Sequence, residues 1–199
     1  MTYKCNDDLK WSVKRLVYLG EKPLIVGQKV ILRAFKEQDL PYIAECLQDI
    51  EVIKLTGSSS DFNLESIHHW YNTRNEQTDR LDLAIVDPLQ GILVGEVVVN
   101  LYDEKYHSMN FRILIGPKGR NKGLGTEATH LMIDYVFNKI KLDQITLSVY
   151  DFNPRAKRVY EKVGFVVDSR DENDLEYEGE WIDSINMKLT REEWMKKSI

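Results

Sequence analysis

Cysteine is scarce in this chain of 199 residues, which contains only Cys5 and Cys46. Two cysteines are too few for a disulfide framework, and their spacing fits no zinc motif. We therefore expect free thiols in a reducing compartment, and neither thiol has the partner arrangement of a nucleophile. His68 and His69 do not form a metal site either, because adjacent residues on a helix point in different directions. The sequence predicts no bound metal.

Long apolar runs and an excess of positive charge are also absent. No run of about eighteen residues is apolar, which argues against a transmembrane helix, and the first residues lack the apolar core and cleavage site of a secretory signal. The chain has 27 Lys and Arg against 32 Asp and Glu, for a net charge of −5. Phosphate backbones bind basic surfaces, so no direct nucleic-acid partner is expected. We predict a cytoplasmic protein with no membrane partner.

A strand, a glycine-rich turn and a helix follow one another between Ser108 and Val136. Apolar residues first alternate, as in a strand, at Met109, Phe111, Ile113 and Ile115. After the glycines they recur with helical spacing, at Leu124, Ala128, Leu131, Met132, Tyr135 and Val136. A helix that begins in such a loop presents unpaired N–H groups and the positive end of its dipole, and here Arg120 and Lys122 stand beside them. This combination predicts a phosphate-binding loop.

Spacing distinguishes three kinds of phosphate-binding loop. The Walker loop needs Lys and then Ser or Thr directly after its last glycine, whereas Gly125 is followed by Thr126. The dinucleotide-binding loop needs a third glycine where this chain has Ala128. The segment from Arg120 to Gly125, Arg-Asn-Lys-Gly-Leu-Gly, instead matches the Arg/Gln-x-x-Gly-x-Gly/Ala loop of acyl-coenzyme A N-acyltransferases. Here the chain resembles the GNAT superfamily.

A second segment supports this resemblance. It is similar to the family's other signature, Asn-x-x-Ala-x-x-x-Tyr-x-Lys-x-Gly-Phe, and runs from Asn153 to Phe165. The pattern also predicts a helix, with Asn153 as its N-cap, Pro154 at its first position and Gly164 at its end. Caps and an apolar face explain most of these residues, but they do not require a phenol at Tyr160.

The remaining elements predict a single domain over residues 28–199. Strands are expected at 30–35, 81–86, 92–101, 108–115, 144–149, 165–169 and 181–189. The resemblance implies the α/β (α+β) class, with a GNAT-like mixed, centrally splayed β-sheet flanked by helices. In that fold the pantetheine arm enters the split between two parallel strands. Residues 1–27 are interpreted as an N-terminal extension with a hairpin that either packs on the domain or lies at a subunit interface of a homodimer.

Three further helices are predicted from capping residues. Asp39 is expected to cap the first, and Thr190 begins a capping box with Glu193 before a short closing helix. Asn63 is expected to cap a helix that buries four apolar residues, Leu64, Ile67, Trp70 and Tyr71.

The resemblance implies direct transfer of an acetyl group from acetyl-coenzyme A to a primary amine, such as a polyamine or a protein N-terminus, without a metal. Asn153 would bond the coenzyme, and Tyr160 would be the general acid beside its sulfur. The alternative for Tyr160 is a buried phenol bonded to the backbone. The main chain of three residues would pair with the pantetheine amides: Ile113, Leu114 and Ile115. The backbone N–H groups of seven residues would hold the pyrophosphate: Arg120, Asn121, Lys122, Gly123, Leu124, Gly125 and Thr126.

The general base is less well indicated. Many family members have Glu where this chain has Asn110, and an amide cannot take a proton. Glu96 shares a face of the preceding strand with Asn100, so Glu96 acting through water is the candidate, against an exposed sheet carboxylate. An amine of moderately low pKa would need no base. The missing Glu also leaves open a second function, a non-catalytic acyl-coenzyme A-binding sensor module.

An acidic run separates the last two predicted strands. Between Asp168 and Glu180 seven carboxylates accompany a single arginine, Arg170. One interpretation is a solvated hairpin. The other is an attractive field for a cationic amine, because this connection lies beside the acceptor entrance in GNAT folds.

Overall fold

An eight-stranded sheet runs through the part of the chain that the structure, a computed structural model, describes: residues 17–58 and 63–197. The strands are β1 Ile25–Val26, β2 Ile31–Arg33, β3 Leu81–Asp87, β4 Ile92–Asp103, β5 Ser108–Ile115, β6 Gln144–Tyr150, β7 Val166–Tyr177 and β8 Glu180–Thr190. Their spatial order is β1-β2-β3-β4-β5-β6-β8-β7. The predicted strands between residues 81 and 150 are confirmed, with ends that move by at most two residues.

Six α-helices flank this sheet within the described residues. They are α1 Leu40–Gln48, α2 Ile50–Thr56, α3 Leu64–Arg74, α4 Leu124–Tyr135, α5 Pro154–Val163 and α6 Arg191–Lys197. A π-helical turn, Val136–Ile140, continues α4, and 3₁₀ turns occupy Glu37–Asp39 and Pro117–Gly119. None of these described helices is long and apolar enough to cross a membrane.

The sheet separates at its centre. β5 and β6 are parallel, but they pair only from Ser108 to Asn110 against Gln144 to Thr146. Beyond that point β5 stays bonded to β4 as far as Ile115, and β6 stays bonded to β8 as far as Tyr150. The mixed, centrally splayed sheet predicted from the sequence is confirmed.

Helices cover both faces of the sheet, which explains why β3 is apolar from Leu83 to Val86, between its two aspartates. All seven residues of β3 are buried. Leu83 and Ile85 pack with α4 and α5, whereas Ala84 and Val86 pack with α1 and α3 on the other side. Alternate residues of a strand face opposite sides, so a strand between two helical layers needs apolar residues at both sets of positions.

Two predictions about α1 and α3 are wrong in detail. The carboxylate of Asp39 does not cap α1, because it pairs with the guanidinium of Arg33 at 2.6 and 2.8 Å and accepts the N–H of Lys36 at 2.8 Å. Asn63 does cap α3, by accepting the N–H of Glu65 at 2.9 Å. However, Trp70 is 55% exposed and lies over the guanidinium of Arg74 at 3.6 Å instead of joining the core.

The sequence prediction missed α2. Asp49 caps this helix by accepting the N–H of Val52 at 2.9 Å, and Gly57 ends it in a left-handed conformation with φ 62°. The segment has the correct caps but only two turns, too short for a helical period to stand out. Its position matters because α2 covers the gap between β5 and β6.

The acidic run is not a connection between strands, as the sequence predicted, but most of β7 itself. β7 extends to Tyr177, and β8 begins at Glu180. The turn between them consists of Glu178 and Gly179, which have φ of 52° and 83°. Two central residues with positive φ form the turn that matches the twist of a two-residue hairpin.

The described end of the N-terminal extension contacts the domain. Leu19 is buried, and the ammonium of Lys22 donates to three carbonyl oxygens, those of Leu19, Gln77 and Arg80, at 2.9, 2.7 and 2.7 Å. The domain boundary at residue 28 stays a prediction. Cys46 is a buried free thiol whose pKa burial raises to about 12, so it is not a nucleophile, whereas Cys5 lies outside the described residues.

Candidate active site

A cavity of about 630 Å³ occupies the gap between β5 and β6. Its walls include Ile113, Leu114 and Ile115 from β5 and Ser148, Val149 and Tyr150 from β6. Because the two strands do not pair here, β5 presents main-chain N–H and C=O groups to the cavity, as an unpaired strand edge does. An extended ligand with amide groups fits such an edge.

The glycine-rich loop closes one end of this cavity. Gly123 stands at the N-cap of α4 with φ 78°, a conformation that glycine adopts without strain. The first helical hydrogen bond runs from the N–H of Glu127 to the carbonyl of Gly123 at 3.2 Å. The N–H groups of Leu124, Gly125 and Thr126 therefore have no partner in the helix. Three free donors at the positive end of a helix form an anion site.

Two carboxylates bind Arg120: that of Asp49, which precedes α2, and that of Glu51, in its first turn. The Arg120 guanidinium is hydrogen-bonded to Asp49 and lies 3.0 Å from Oε2 of Glu51. This pairing lowers the pKa of Asp49. Glu51 also pairs with Arg155 of α5 at 2.5 Å, so one ionic network joins the loop, α2 and α5 around the cavity. The buried Nε of Arg120 has no hydrogen-bond partner among the described residues.

Tyr160 lies on the buried face of α5 and lines the same cavity. Its ring packs edge-on against Phe111 and Phe165, at centroid distances of 6.2 and 5.9 Å. Burial raises the pKa of the phenol to about 12. No hydrogen bond joins its oxygen to another described residue, so the structure gives no support to the phenol bonded to backbone.

Glu96 lies on β4 and also lines the cavity. It is half-buried, so the alternative of an exposed sheet carboxylate is wrong. The phenol of Tyr71, on α3, donates a hydrogen bond of 2.8 Å to Oε2 of Glu96. Burial raises the pKa of Glu96, and the hydrogen bond from Tyr71 opposes that rise because it favours the carboxylate.

With this geometry in view, comparison with known proteins identifies the family. Residues 29–166, more than half of the chain, match the model of the acetyltransferase (GNAT) domain. The chain belongs to this family. It is an acetyl-coenzyme A-dependent N-acetyltransferase, and acetyl-coenzyme A is its cosubstrate. The family favours the enzyme over the coenzyme-binding sensor.

The relatives of this acetyltransferase include enzymes named for two kinds of acceptor. Spermidine N(1)-acetyltransferase of Vibrio cholerae is 23% identical over 174 residues, which cover 87% of this chain and 99% of the relative. The Escherichia coli K12 enzyme of the same name is 25% identical over 170 residues, which cover 85% of this chain and 90% of that enzyme. Alpha/beta-tubulin-N-acetyltransferase 9 of Mus musculus is 24% identical and covers 74% of this chain and 66% of its own.

Solved structures show the same fold. The Vibrio cholerae spermidine N-acetyltransferase in complex with coenzyme A and spermine has a TM-score of 0.77 at 22% identity, covering 85% of this chain and 99% of the other. A GNAT acetyltransferase from Bacillus anthracis has a TM-score of 0.74 at 24% identity, covering 86% and 100%.

The loop of this acetyltransferase fits the pyrophosphate of its cosubstrate. Its free N–H groups can donate hydrogen bonds to an anion. The two glycines have no side chains, so an anion can approach the backbone closely. A Cβ at Gly125 would lie 3.1 Å from the side chain of Ile115, and a Cβ at Gly123 would lie 3.4 Å from the ammonium of Lys29. Lys29, which the sequence reasoning missed, thus adds a cation beside the loop.

The structure brings together all but one of the predicted site residues. Lys122 does not line the cavity, and its ammonium lies 3.9 Å from Oδ2 of Asp87 instead. Asn121 adopts φ 59°, which asparagine tolerates, in the turn before Gly123. The lining includes Glu96, Ile113, Leu114, Ile115, Arg120, Asn121, Gly123, Leu124, Gly125, Thr126, Asn153 and Tyr160.

Two asparagines of the acetyltransferase have the predicted positions. Oδ1 of Asn153 accepts the N–H of Ala156 at 3.1 Å, which confirms the cap of α5 and leaves the amide N–H₂ free to donate into the cavity. Asn110 also lines the cavity, and its Nδ2 donates a long bond of 3.4 Å to Asn100. Its role as the replacement of a catalytic Glu stays a prediction.

Asp174 is the member of the acidic run that lines the cavity within the described residues. It accepts a hydrogen bond of 2.5 Å from the hydroxyl of Ser184, which is buried. Asp171 instead accepts from Asn186 at 2.8 Å, and Glu172 is exposed. Simple alternation would place Glu172 and Asp174 on the same face, but the register of β7 shifts between Asp171 and Leu175, and Asn173 has a φ of 55°. A strand pattern alone therefore does not predict which of these carboxylates lines the cavity.

Proposed function

We propose that this acetyltransferase acetylates a polyamine, with Tyr160 as the general acid and Glu96 as the general base. The observation that carries the proposal is the shared cavity: the phosphate-binding loop, the phenol of Tyr160 and the carboxylate of Glu96 all line it. Spermidine N-acetyltransferases among the relatives support a polyamine as the acceptor.

The loop and β5 hold the cosubstrate in this proposal. The N–H groups from Arg120 to Thr126 bind the pyrophosphate at the positive end of α4, and the unpaired edge from Ile113 to Ile115 bonds the pantetheine amides. The amide of Asn153 donates to the coenzyme. A main-chain N–H of β5 polarises the thioester carbonyl, where negative charge develops in the transition state.

Two proton transfers accompany the reaction. The amine nitrogen attacks the thioester carbon, so that a C–N bond forms and the C–S bond breaks. Glu96 takes the proton that the nitrogen loses, through water, and Tyr160 gives its proton to the departing thiolate. A phenol with a pKa of about 12 is protonated at neutral pH, so Tyr160 can act as an acid there.

The carboxylates favour a cationic acceptor. Glu96 and Asp174 line the cavity, and β7 adds further negative charge outside it. Such a field raises the local concentration of a cation. The ammonium groups that do not react would stay charged near Asp174, while the reacting nitrogen loses its proton where desolvation lowers its pKa.

Release of coenzyme A thiol tests the proposal. Wild-type protein is incubated with acetyl-coenzyme A and, in parallel, with spermidine, n-butylamine, free amino acids and peptides that have a free N-terminus. Spermidine should give the highest kcat/KM. Preference for a peptide would favour a protein acceptor instead, and relatives named as tubulin N-acetyltransferases are among those that this chain resembles. A cytoplasmic location and a homodimer are part of the same proposal.

A further inference from the structure

Three aromatic rings form a row that starts inside the cavity and leads out of it. Tyr150, at the end of β6, lines the cavity. Its ring centroid lies 5.6 Å from that of Phe152, which lies 5.9 Å from that of Tyr177. The row joins β6, the turn before α5 and the end of β7.

A cation already occupies this row. The ammonium of Lys54, on α2, lies 5.5 Å from the ring centroid of Phe152 and 5.0 Å from that of Tyr177. The face of an aromatic ring carries negative charge density and attracts cations within about 6 Å. No carboxylate of the described residues lies within salt-bridge distance of Lys54, so the rings are its charged group's main partners there.

Residues around Lys54 line the cavity, so the rings that its ammonium contacts lie next to the side of the cavity proposed to hold the acceptor. Val52, Leu55 and Thr56, the neighbours of Lys54 on α2, line the cavity. Asp174 and Tyr150 line the same cavity. A molecule that places an amine beside Glu96 and Tyr160 and extends past Tyr150 would therefore reach these rings.

We propose that the pair of rings formed by Phe152 and Tyr177 is a binding site for a distal ammonium group of the acceptor, and that Lys54 fills this site in the free enzyme. This inference rests on the proposed function and extends it. Lys54 then competes with acceptors that have a second cation, and it does not affect an amine with a single one. The flexible four-carbon stem of a lysine lets its ammonium leave without movement of α2.

Replacement of Lys54 by Met tests the proposal, because Met keeps an unbranched side chain without the charge. K54M should lower the KM for spermidine by about three- to tenfold, the range of an exposed or partly desolvated cation–aromatic contact. The KM values for n-butylamine and for acetyl-coenzyme A should not change. K105M is the matched control, since Lys105 lies 4.6 Å from the ring of Tyr106 in the β4–β5 turn, outside the cavity lining.

The rings are tested separately with F152L and Y177L. Each should raise the KM for spermidine by about three- to tenfold and leave that for n-butylamine unchanged. Urea unfolding midpoints identify a variant that is merely destabilised, and K54M, which changes a side chain on the helix surface, keeps the test valid if a ring variant fails to fold. The proposal would be wrong if the KM values for spermidine and n-butylamine shifted equally, or if the spermidine KM were unchanged in K54M. Lys54 would then only stabilise the packing of α2 against β7.

Calorimetric titration of spermidine in the presence of coenzyme A separates this inference from the proposed function. If no amine is acetylated but spermidine binds K54M more tightly than wild type, the catalytic proposal fails and the cation site stands. If spermidine is acetylated and its affinity is the same in both proteins, the cation site fails and the catalytic proposal stands.

Discussion

Burial raises the pKa of both residues proposed to move protons, and the higher pKa suits the opposite roles of the two groups. Burial raises the pKa of the Tyr160 phenol to about 12, which keeps the proton that a general acid must deliver. It also raises the pKa of the Glu96 carboxyl, which makes this carboxylate a stronger base than one in water. At the residue scale, the chemistry depends on how deeply each group lies in the gap between the strands.

Replacement of Tyr160 by Phe should separate turnover from coenzyme binding. Y160F keeps the ring contacts with Phe111 and Phe165 but deletes the proton donor. The chemical step should slow by about 10²-fold, with little change in coenzyme A affinity. Single-turnover acetylation and calorimetry measure the two quantities. Y106F, in an exposed turn, is the control, and normal single-turnover rates in Y160F would mean that solvent protonates the thiolate.

Replacement of Tyr71 by Phe should change the pH dependence of acetylation. Y71F keeps the edge contact with Phe35 but removes the hydrogen bond that favours the Glu96 carboxylate. The pKa of Glu96 should then rise further. Since the base acts only when deprotonated, the acidic limb of kcat/KM for the acceptor should move to higher pH.

The measurement compares pH profiles of wild type, Y71F and E96Q. E96Q should lose the limb that belongs to Glu96, because an amide cannot titrate. A limb at the same pH in all three proteins would assign it to the amine itself and remove Glu96 from the mechanism.

At the scale of elements, the conformation of the loop before α4 depends on Gly123, whose φ is 78°. G123A places a Cβ on a residue with φ 78°, at the surface proposed to meet the pyrophosphate. Coenzyme A affinity should fall by about tenfold, which corresponds to the loss of about one hydrogen bond to a charged group.

Gly91 provides the matched control for that substitution. Its φ is 68°, but a Cβ there would have no atom within 4 Å. G91A introduces similar backbone strain in the β3–β4 turn, outside the cavity lining, so it should lower stability without changing coenzyme affinity. Equal loss of affinity in both variants, measured by calorimetry, would attribute the effect to strain and remove the loop from the proposed coenzyme site.

At the scale of the whole molecule, the placement of negative charge matters more than its amount. The chain has a net charge of −5, yet the run on β7 contributes a single carboxylate to the cavity lining among the described residues. Of the other six members, four lie on β7, which is an outer strand, and Glu178 and Glu180 lie in the turn and at the start of β8. Salt screens exposed charges over distances beyond about 10 Å.

Neutralisation of Asp174 should therefore weaken the field that the acceptor meets. D174N should raise the spermidine KM by about three- to tenfold at low salt and flatten its dependence on ionic strength, with coenzyme binding intact. E172Q, which removes an exposed charge from the same strand, is the control. If D174N and E172Q have the same KM across a salt series, the acidic run is only a solvated surface.

The sequence by itself determined the fold class, the family and the two motifs. The turn at Gly123 and the helix from Pro154 to Val163 depend on residues close together in the chain, whose caps and periods are visible without a structure. Eleven of the twelve predicted site residues that line the cavity belong to these two motifs or to the strand that leads into the first of them.

The tertiary structure alone decided which distant side chains meet. Tyr71 and Glu96 belong to α3 and β4, and Lys54 reaches two rings that follow it by about a hundred residues or more. The predicted burial of Trp70 and the connection assigned to the acidic run were wrong for a related reason. Periodicity shows which residues share a face, but the order of strands and the packing of helices on them decide what that face contacts.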